Sequence, residues 1–197
     1  MKPKAPSILL VSQSPRRREI LETFGFRVQV QNPRASIPEV NLGENKMNTP
    51  EKVVCENAKR KAGSVSTAGH DWVLSSDTIV VLNGKQYGKP RNKKEALLFL
   101  SELSGKTHQV FSSYYLRRKS QSWTGYDVSH VTFKKLSRSQ ILDYLKQVEV
   151  MDKAGAYAIQ NGGERIIAGF QGSFYTIMGL PIEKIIARIT PKKIIRQ

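Results

Sequence analysis

Short apolar runs and segments of helical period alternate along the chain, and this alternation predicts an α/β fold. Continuous apolar or alternating runs indicate strands, whereas apolar residues that recur every three or four positions indicate helices packed against a sheet. The predicted strands are residues 8–11, 27–31, 72–82, 109–116, 123–133 and 165–170. The predicted helices begin at Ser14, Thr49, Asn92, Ser137 and Pro181. Together these elements predict a mixed β-sheet with surrounding helices.

Turn and cap signals set the bounds of these elements. The Asn-Gly pair at 83–84 predicts a type I′ turn, and the pairs at 92/95 and 137/140 are spaced as capping boxes. The second helix is predicted to run to about Thr67, and the last one to Ile189. Residues 32–48 predict a long irregular loop, and loops of that length are often functional.

Composition indicates a globular protein and excludes several classes of site. With 39% hydrophobic residues the chain can bury a sizeable core, and we expect one domain over 1–197. No apolar run approaches the roughly 18 residues that span a bilayer, so no membrane segment is expected. The single cysteine, Cys55, excludes an internal disulfide and suits a reducing cytoplasm. His70, His108 and His130 are too dispersed to predict zinc.

The charge is strongly basic, with 32 Lys and Arg against 16 Asp and Glu and a formal net charge of +16. Such a field attracts polyanions and accelerates their encounter with the protein. Nucleic acid, anionic lipid and nucleotide phosphates all fit, and composition alone does not choose among them.

Residues 12–19, SQSPRRRE, place hydroxyls and guanidinium groups where a strand is predicted to pass into a helix. A helix N-terminus presents free N–H groups and a positive dipole end, which arginines oppose. A bound phosphate would resolve that conflict, because the guanidinium fork matches phosphate geometry. A surface helix with solvated arginines explains the pattern equally well.

Asp77 interrupts an apolar segment, with Val73 and Leu74 before it and residues 79–81 after it. A carboxylate in mid-strand is costly to bury unless it is paired or bound to a metal. Asp77 is therefore either a carboxylate that holds a metal or activates water, or a solvent-facing residue of an edge strand. Lys89 follows on the far arm of the predicted turn and could return to the same place.

Six blocks, in this order along the chain, together resemble the Maf family of septum-formation-like nucleotide pyrophosphatases. They are SQSPRRRE at 12–19, SDTIVV at 76–81, GKP at 88–90, LSGKTH at 103–108, DKAGAYAIQ at 152–160, and GSF at 172–174 with GLP at 179–181. The resemblance implies a long mixed sheet with surrounding helices and two lobes about a central cleft, as in the inosine triphosphatase superfamily. It also implies a homodimer.

The same resemblance implies hydrolysis of a nucleoside triphosphate to the monophosphate and pyrophosphate, with Mg²⁺ or Mn²⁺ as cofactor. Asp77 falls on the family's catalytic carboxylate, and Asp77 with Glu39 on its metal ligands. The implied substrate contacts are Ser12, Ser14, Arg17, Glu39, Lys61 and Lys89. The family's Ile-Asp-Glu-like stretch reads Ile-Pro-Glu at 37–39 here, which departs from the pattern at the second carboxylate.

Three further positions, Arg16, Thr78 and Gln160, resemble the family's specificity set. The 7-methylguanosine branch carries Trp in place of Arg16, so the resemblance favours dTTP, UTP and modified pyrimidine nucleotides as substrates. A Gln amide can satisfy much of the acceptor–donor–acceptor edge of a uracil-type base. This implies a cytoplasmic enzyme that cleans the nucleotide pool.

Two alternatives belong to other functional classes. The charge suggests a nucleic-acid-binding protein, but no zinc finger, RNP pattern or other recognisable module supports it. A division- or growth-regulating interaction protein with weak hydrolysis is the second. The complete set of polar candidate residues argues against lost chemistry.

Overall fold

A computed structural model describes residues 6–44, 49–66 and 69–189, and its centre is an 8-stranded mixed sheet. The strands are β1 Ser7–Val11, β2 Arg27–Gln31, β3 Trp72–Ser75, β4 Thr78–Leu82, β5 Lys85–Tyr87, β6 Thr107–Arg118, β7 Gln121–Phe133 and β8 Ile167–Gln171. The helices are α1 Pro15–Thr23, α2 Pro50–Gly63, α3 Lys93–Leu103, α4 Arg138–Gln147, α5 Gly163–Ile166, α6 Phe174–Met178 and α7 Ile182–Ile189, with a 3₁₀ turn at Ala154–Ala156. The predicted fold class is confirmed.

The long hairpin of β6 and β7 contains the two longest strands of the sheet. The two strands pair antiparallel along the whole of β6, and β8 extends the sheet beyond β7. On the other edge of β6 lie β3 and β4, end to end, with Ser75 opposite Tyr115 and Thr78 opposite Ser112. The register is thus the same on both sides of a two-residue interruption. The prediction of one continuous strand over 72–82 is wrong, because residues 76–77 interrupt it.

The strands that flank β3 and β4, which are β1 and β5, stop near the level of this interruption. Parallel β1 ends with Val11 beside Ser75, and antiparallel β5 ends with Tyr87 two positions from Thr78 on the paired strand. Asn83 and Gly84 both have positive φ, 50° and 77°, as a type I′ turn requires. The chain therefore leaves β1 and β5 on opposite sides of residues 76–77, which opens a cleft in the sheet.

Two separate hydrophobic cores lie on one face of the sheet, on either side of the cleft. One joins β4, β5, α3 and α4, and the other joins β1, β3, α1, α6 and α7. Because side chains alternate along a strand, Ile79 and Val81 face the other way, where α2 covers them with Val53 and Val54. Complete burial of each such side chain contributes about 1.5–3 kcal/mol. The expected two-lobed arrangement is confirmed.

Most element bounds follow the prediction, and the differences have local causes. α2 ends at Gly63 instead of continuing to Thr67, which lies outside the described residues. The predicted strand from 165 begins at Ile167, because the preceding residues form α5. Short helix α6, capped by the Ser173 hydroxyl, was not predicted. Within the described ranges no helix has both the length and the apolarity needed to cross a membrane.

Candidate active site

The cleft has a volume of about 810 Å³, and its lining brings together all ten residues singled out in the sequence. They are Ser12, Ser14, Arg16, Arg17, Glu39, Lys61, Asp77, Thr78, Lys89 and Gln160. The topology explains this convergence. Some of the ten residues follow β1 or β5, and Asp77 lies in the interruption between β3 and β4. The others belong to segments that border the cleft. A cleft of this size accommodates a nucleotide-sized ligand.

Asp77 lies in the interruption, and its carboxylate is buried between two donors. Lys61 Nζ is 2.5 Å from Oδ1, and Asn57 Nδ2 donates to Oδ2 at 3.1 Å. The backbone carbonyl of Asp77 accepts from Ser113 N of β6 at 2.9 Å. The edge-strand alternative is thereby wrong: the carboxylate is buried and paired. Each carboxylate oxygen retains a lone pair for a water or a cation.

Helix α2 supplies both donors because two serines hold it against the sheet. Ser75 donates to the carbonyl of Ala58 and Ser113 to that of Val54, each from a buried hydroxyl. Asn57 and Lys61 are four residues apart, so they project from one face of the helix. Asn57 also exchanges hydrogen bonds with the Val40 backbone, at 2.8 and 3.0 Å. It therefore ties the loop after β2 to Asp77.

Glu39 comes from that loop and shares Lys61 with Asp77, at 2.8 Å. Burial raises the pKa of Glu39, but the charge and hydrogen bond of Lys61, with contributions from Lys89 and Arg17, lower it below its usual value overall. Two carboxylates thus converge on one positive centre. The residue that precedes Glu39 in the loop is Pro38, which has no carboxylate.

Arg17 is buried, and most of its donors bind the protein. Its Nε donates to the carbonyl of Gly179, its Nη1 to Ser12 Oγ and the carbonyl of Ser76, and its Nη2 to Thr78 Oγ1, at 2.8–3.2 Å. Burial lowers its pKa to about 10. Four of its five N–H groups are therefore engaged within the described residues, which leaves one to meet a substrate.

Gly179 provides an acceptor that a side chain would disturb. It ends α6 with φ 110°, a left-handed conformation that favours glycine, and its carbonyl also accepts from Ser76 Oγ. A Cβ atom there would lie 3.2 Å from Thr78 Oγ1. The glycine of the GLP block thus shapes the cleft through Arg17.

The opposite end of the cleft holds Arg16 and Gln160. Arg16 Nη1 pairs with Asp152 Oδ2 at 2.8 Å, and Lys153 Nζ pairs with the other oxygen of Asp152 at 2.5 Å. Gln160 is half-buried nearby and lines both this cleft and an adjoining cavity of about 560 Å³. Ser14 occupies the N-cap position of α1 without a side-chain cap bond. The sequence left open whether a bound anion or solvent offsets the arginines of α1. Each of the three has an acceptor inside the protein, Arg18 through Glu22.

Sequence reasoning missed several residues of the site. Asn57 is the most informative, and its signal was a polar residue on the otherwise apolar inner face of α2. Asp152 was visible only as the first residue of the DKAGAYAIQ block. Arg34 lies in the irregular loop and also lines the cleft.

A family model described as Maf-like protein matches residues 7–191. The chain belongs to the Maf family. A relative from Photorhabdus laumondii is 38% identical over 178 residues, 89% of this chain and 89% of its own length, and is called a dTTP/UTP pyrophosphatase. One of the same name from Thermus thermophilus is 35% identical over 182 residues, 92% of each chain.

Among solved structures, a dITP/XTP pyrophosphatase from Mycobacterium abscessus covers 93% of this chain and 92% of its own. Its identity is 14% and its TM-score 0.41, too low to bear on fold or function. The Maf assignment rests on the sequence match, and the fold on the sheet itself.

Asp77 and Glu39 have the donor chemistry that a divalent cation such as Mg²⁺ requires. Carboxylate oxygens are preferred Mg²⁺ ligands, and one or two carboxylates with substrate phosphates commonly suffice. Within the ranges that the structure describes, no three His, Cys, Asp or Glu side chains converge. Because these two already share one cation, Lys61 Nζ, the donor set fits a metal whose remaining ligands are phosphate oxygens and water.

Proposed function

We propose that this chain hydrolyses dTTP and UTP between the α- and β-phosphates, releasing the nucleoside monophosphate and pyrophosphate. The observation that carries the proposal is the Asp77–Lys61–Glu39 cluster inside a strongly cationic cleft. The names of the Maf relatives, dTTP/UTP pyrophosphatases, support the substrate assignment.

The charge of the cleft suits a triphosphate. Seven cationic side chains line it against three carboxylates, and they are Arg16, Arg17, Arg34, Arg60, Lys61, Lys89 and Lys153 against Glu39, Asp77 and Asp152. A nucleoside triphosphate carries about four negative charges, which must be neutralised before water can attack phosphorus. Prearranged cations inside a cleft do this at little reorganisation cost.

Asp77 is the general base in this proposal. The water oxygen bonds to phosphorus while its proton passes to Asp77, and the anhydride bond breaks with its electron pair leaving on pyrophosphate. Asn57 and Lys61 orient the carboxylate, and Lys61 and Lys89 offset the phosphate charge. Asp77 and Glu39 would hold Mg²⁺ or Mn²⁺, which when bound neutralises phosphate oxygens and makes phosphorus more electrophilic.

Base recognition is assigned to the end of the cleft that contains Arg16 and Gln160. The Gln160 amide both donates and accepts, as a uracil or thymine edge requires. Thr78 acts differently from Gln160, because its hydroxyl already meets Arg17 and Ser112 and therefore supports the site through Arg17. Ser12 does the same through Arg17, and Ser14 remains available to the substrate.

The proposal includes a cytoplasmic location and a homodimer. The free thiol of Cys55 is compatible with a reducing compartment. The dimer rests on the family resemblance, and sedimentation of the purified chain tests it.

Pyrophosphate release from a panel of triphosphates tests the function. We expect the highest kcat/KM for dTTP and UTP, with lower values for CTP, ATP, GTP and 7-methyl-GTP. The Asp77→Asn variant, purified in parallel, controls for contaminating phosphatases. Equal or higher efficiency with 7-methyl-GTP would reject the substrate assignment, and no release from any nucleotide would reject the reaction.

A further inference from the structure

The cations of the cleft differ in whether protein groups already neutralise them. Arg16 and Lys153 share Asp152, and Lys61 lies between Asp77 and Glu39. Arg60 pairs with Glu56 at 2.8 Å outside the cleft, and Arg17 binds carbonyl and hydroxyl oxygens. These five are held by the protein before any substrate arrives.

The two remaining cations of the cleft are Arg34 and Lys89. Neither side chain makes an ion pair or hydrogen bond within residues 6–44, 49–66 and 69–189. Lys89 is electrostatically coupled to Glu39, whose pKa it helps to lower. The guanidinium of Arg34 is exposed and lacks even that partner among the described residues. A cation that lines a cleft without a counter-charge is available to a bound anion.

The backbone holds Arg34 at the end of the cleft that contains Lys61. Its N–H donates to Ser64 Oγ at 3.2 Å, and Ser64 Oγ donates to the carbonyl of Lys61 at 2.7 Å. Ser64 is buried at the end of α2, so Arg34 is fixed to the helix that positions Lys61 and Asn57. Arg16 and Gln160, by contrast, adjoin α1 and the 3₁₀ turn, on the other face of the sheet.

We propose that Arg34 binds the β- and γ-phosphates, which leave together as pyrophosphate. This rests on the proposed function: with the base at Gln160 and the scissile bond at Asp77, the remaining phosphates extend toward α2 and Arg34. A guanidinium can bind two phosphate oxygens at once, which a lysine cannot. Arg34 thereby favours triphosphates and does not retain the monophosphate product.

Arg34→Gln and Arg34→Lys, with Arg138→Gln as control, test this assignment. Arg138 is exposed at the start of α4, does not line the cleft, and its substitution removes the same charge. For Arg34→Gln we expect KM for UTP and Kd for sodium pyrophosphate, measured by calorimetry without added metal, to rise about threefold to tenfold. We expect kcat within about twofold, Kd for UMP unchanged, Arg34→Lys intermediate, and Arg138→Gln like wild type.

Other outcomes would overturn the assignment to Arg34. They are an unchanged Kd for pyrophosphate in Arg34→Gln, an equal rise in Kd for UMP, or an equal effect of Arg138→Gln. The binding measurement does not depend on turnover. If wild type hydrolyses no triphosphate, the proposed function fails, while pyrophosphate calorimetry still decides whether Arg34 binds this anion.

Discussion

The two ends of the cleft are built from similar charges but in different environments. At the end proposed for catalysis (the catalytic end), the side chains of Asp77 and Lys61 are 6% and 15% exposed. At the end proposed for base recognition (the base end), those of Arg16 and Asp152 are 21% and 46% exposed. Breaking a buried pair costs several kcal/mol, while an exposed pair contributes about 0–1 kcal/mol. The catalytic end is thus fixed by burial, and the base end can change its side chains, and with them its specificity, at little cost in stability.

The largest effect is expected from metal removal, which acts on the catalytic end alone. Exhaustive chelation should reduce pyrophosphate release from UTP to background, because without the metal the carboxylates of Asp77 and Glu39 would repel the phosphates and only the cleft cations would remain to offset the triphosphate charge. Restoring Mg²⁺ or Mn²⁺ should restore the rate. Full turnover after chelation would show that Asp77 and Glu39 need no metal.

Asp77→Asn should lower kcat by about 10²–10⁴-fold, the range expected for loss of a general base. The change preserves shape and removes the charge, and Lys61 keeps Glu39 as a partner, so the fold should persist by circular dichroism. Asp143→Asn, on the exposed face of α4, is the matched control. A variant that keeps more than about a tenth of the rate would contradict the role of Asp77.

Acid should lower the stability of the protein through His108, whose partner Tyr157 precedes Gln160. His108 is buried, its Nε2 is 2.9 Å from the Tyr157 hydroxyl, and Tyr157 lies in the segment that leads to Gln160. Burial lowers the pKa of His108 to about 4, so between that value and about 6.5 the unfolded chain binds more protons than the folded one. Stability attributable to His108 should therefore fall by about 2 kcal/mol from pH 7 to pH 5.

Thermal melts of wild type and His108→Gln at pH 7 and pH 5 measure this contribution. It is the difference between the two proteins in the stability that each loses on acidification. The variant should lose less stability on acidification, because it no longer carries the titrating imidazole. An identical loss in both proteins would assign the acid sensitivity to other groups.

The smallest effect is expected for Gln160→Leu, which preserves size but cannot hydrogen-bond to a base. We expect kcat/KM for UTP to fall about tenfold and the preference for UTP over CTP to shrink, while the Mg²⁺ dependence stays unchanged. Asn161→Ala, exposed next to it and outside the cleft lining, is the control. Retained selectivity in Gln160→Leu would place base recognition elsewhere.

Much of the fold was predictable because most strands and helices are marked by local patterns. Apolar runs indicated the buried strands, and the Asn-Gly turn brought Lys89 back to the interruption. The interruption itself was not predictable. At residues 76–77 the Ser76 carbonyl accepts from Arg17 and the Ser76 hydroxyl donates to the Gly179 carbonyl. These contacts join residues that are far apart in sequence.

The residues of the site were predictable from the sequence, but the hydrogen-bond network that joins them was not. The family resemblance identified ten residues that line one cleft, eight of them inside its blocks and two, Glu39 and Lys61, outside them. Local sequence could not show how Arg17 distributes its donors. Asn57 was hidden because it occupies a core-facing helix position that elsewhere carries apolar side chains. Its role appears only when α2 is placed against Asp77.

The products formed from UTP test the central claim most directly. ³¹P NMR of UTP incubated with the wild-type chain and Mg²⁺ separates UMP and pyrophosphate from UDP and orthophosphate. We predict UMP and pyrophosphate in equal amounts, with no UDP at any time. UDP with orthophosphate as the first products would place cleavage at the β–γ bond and contradict the account.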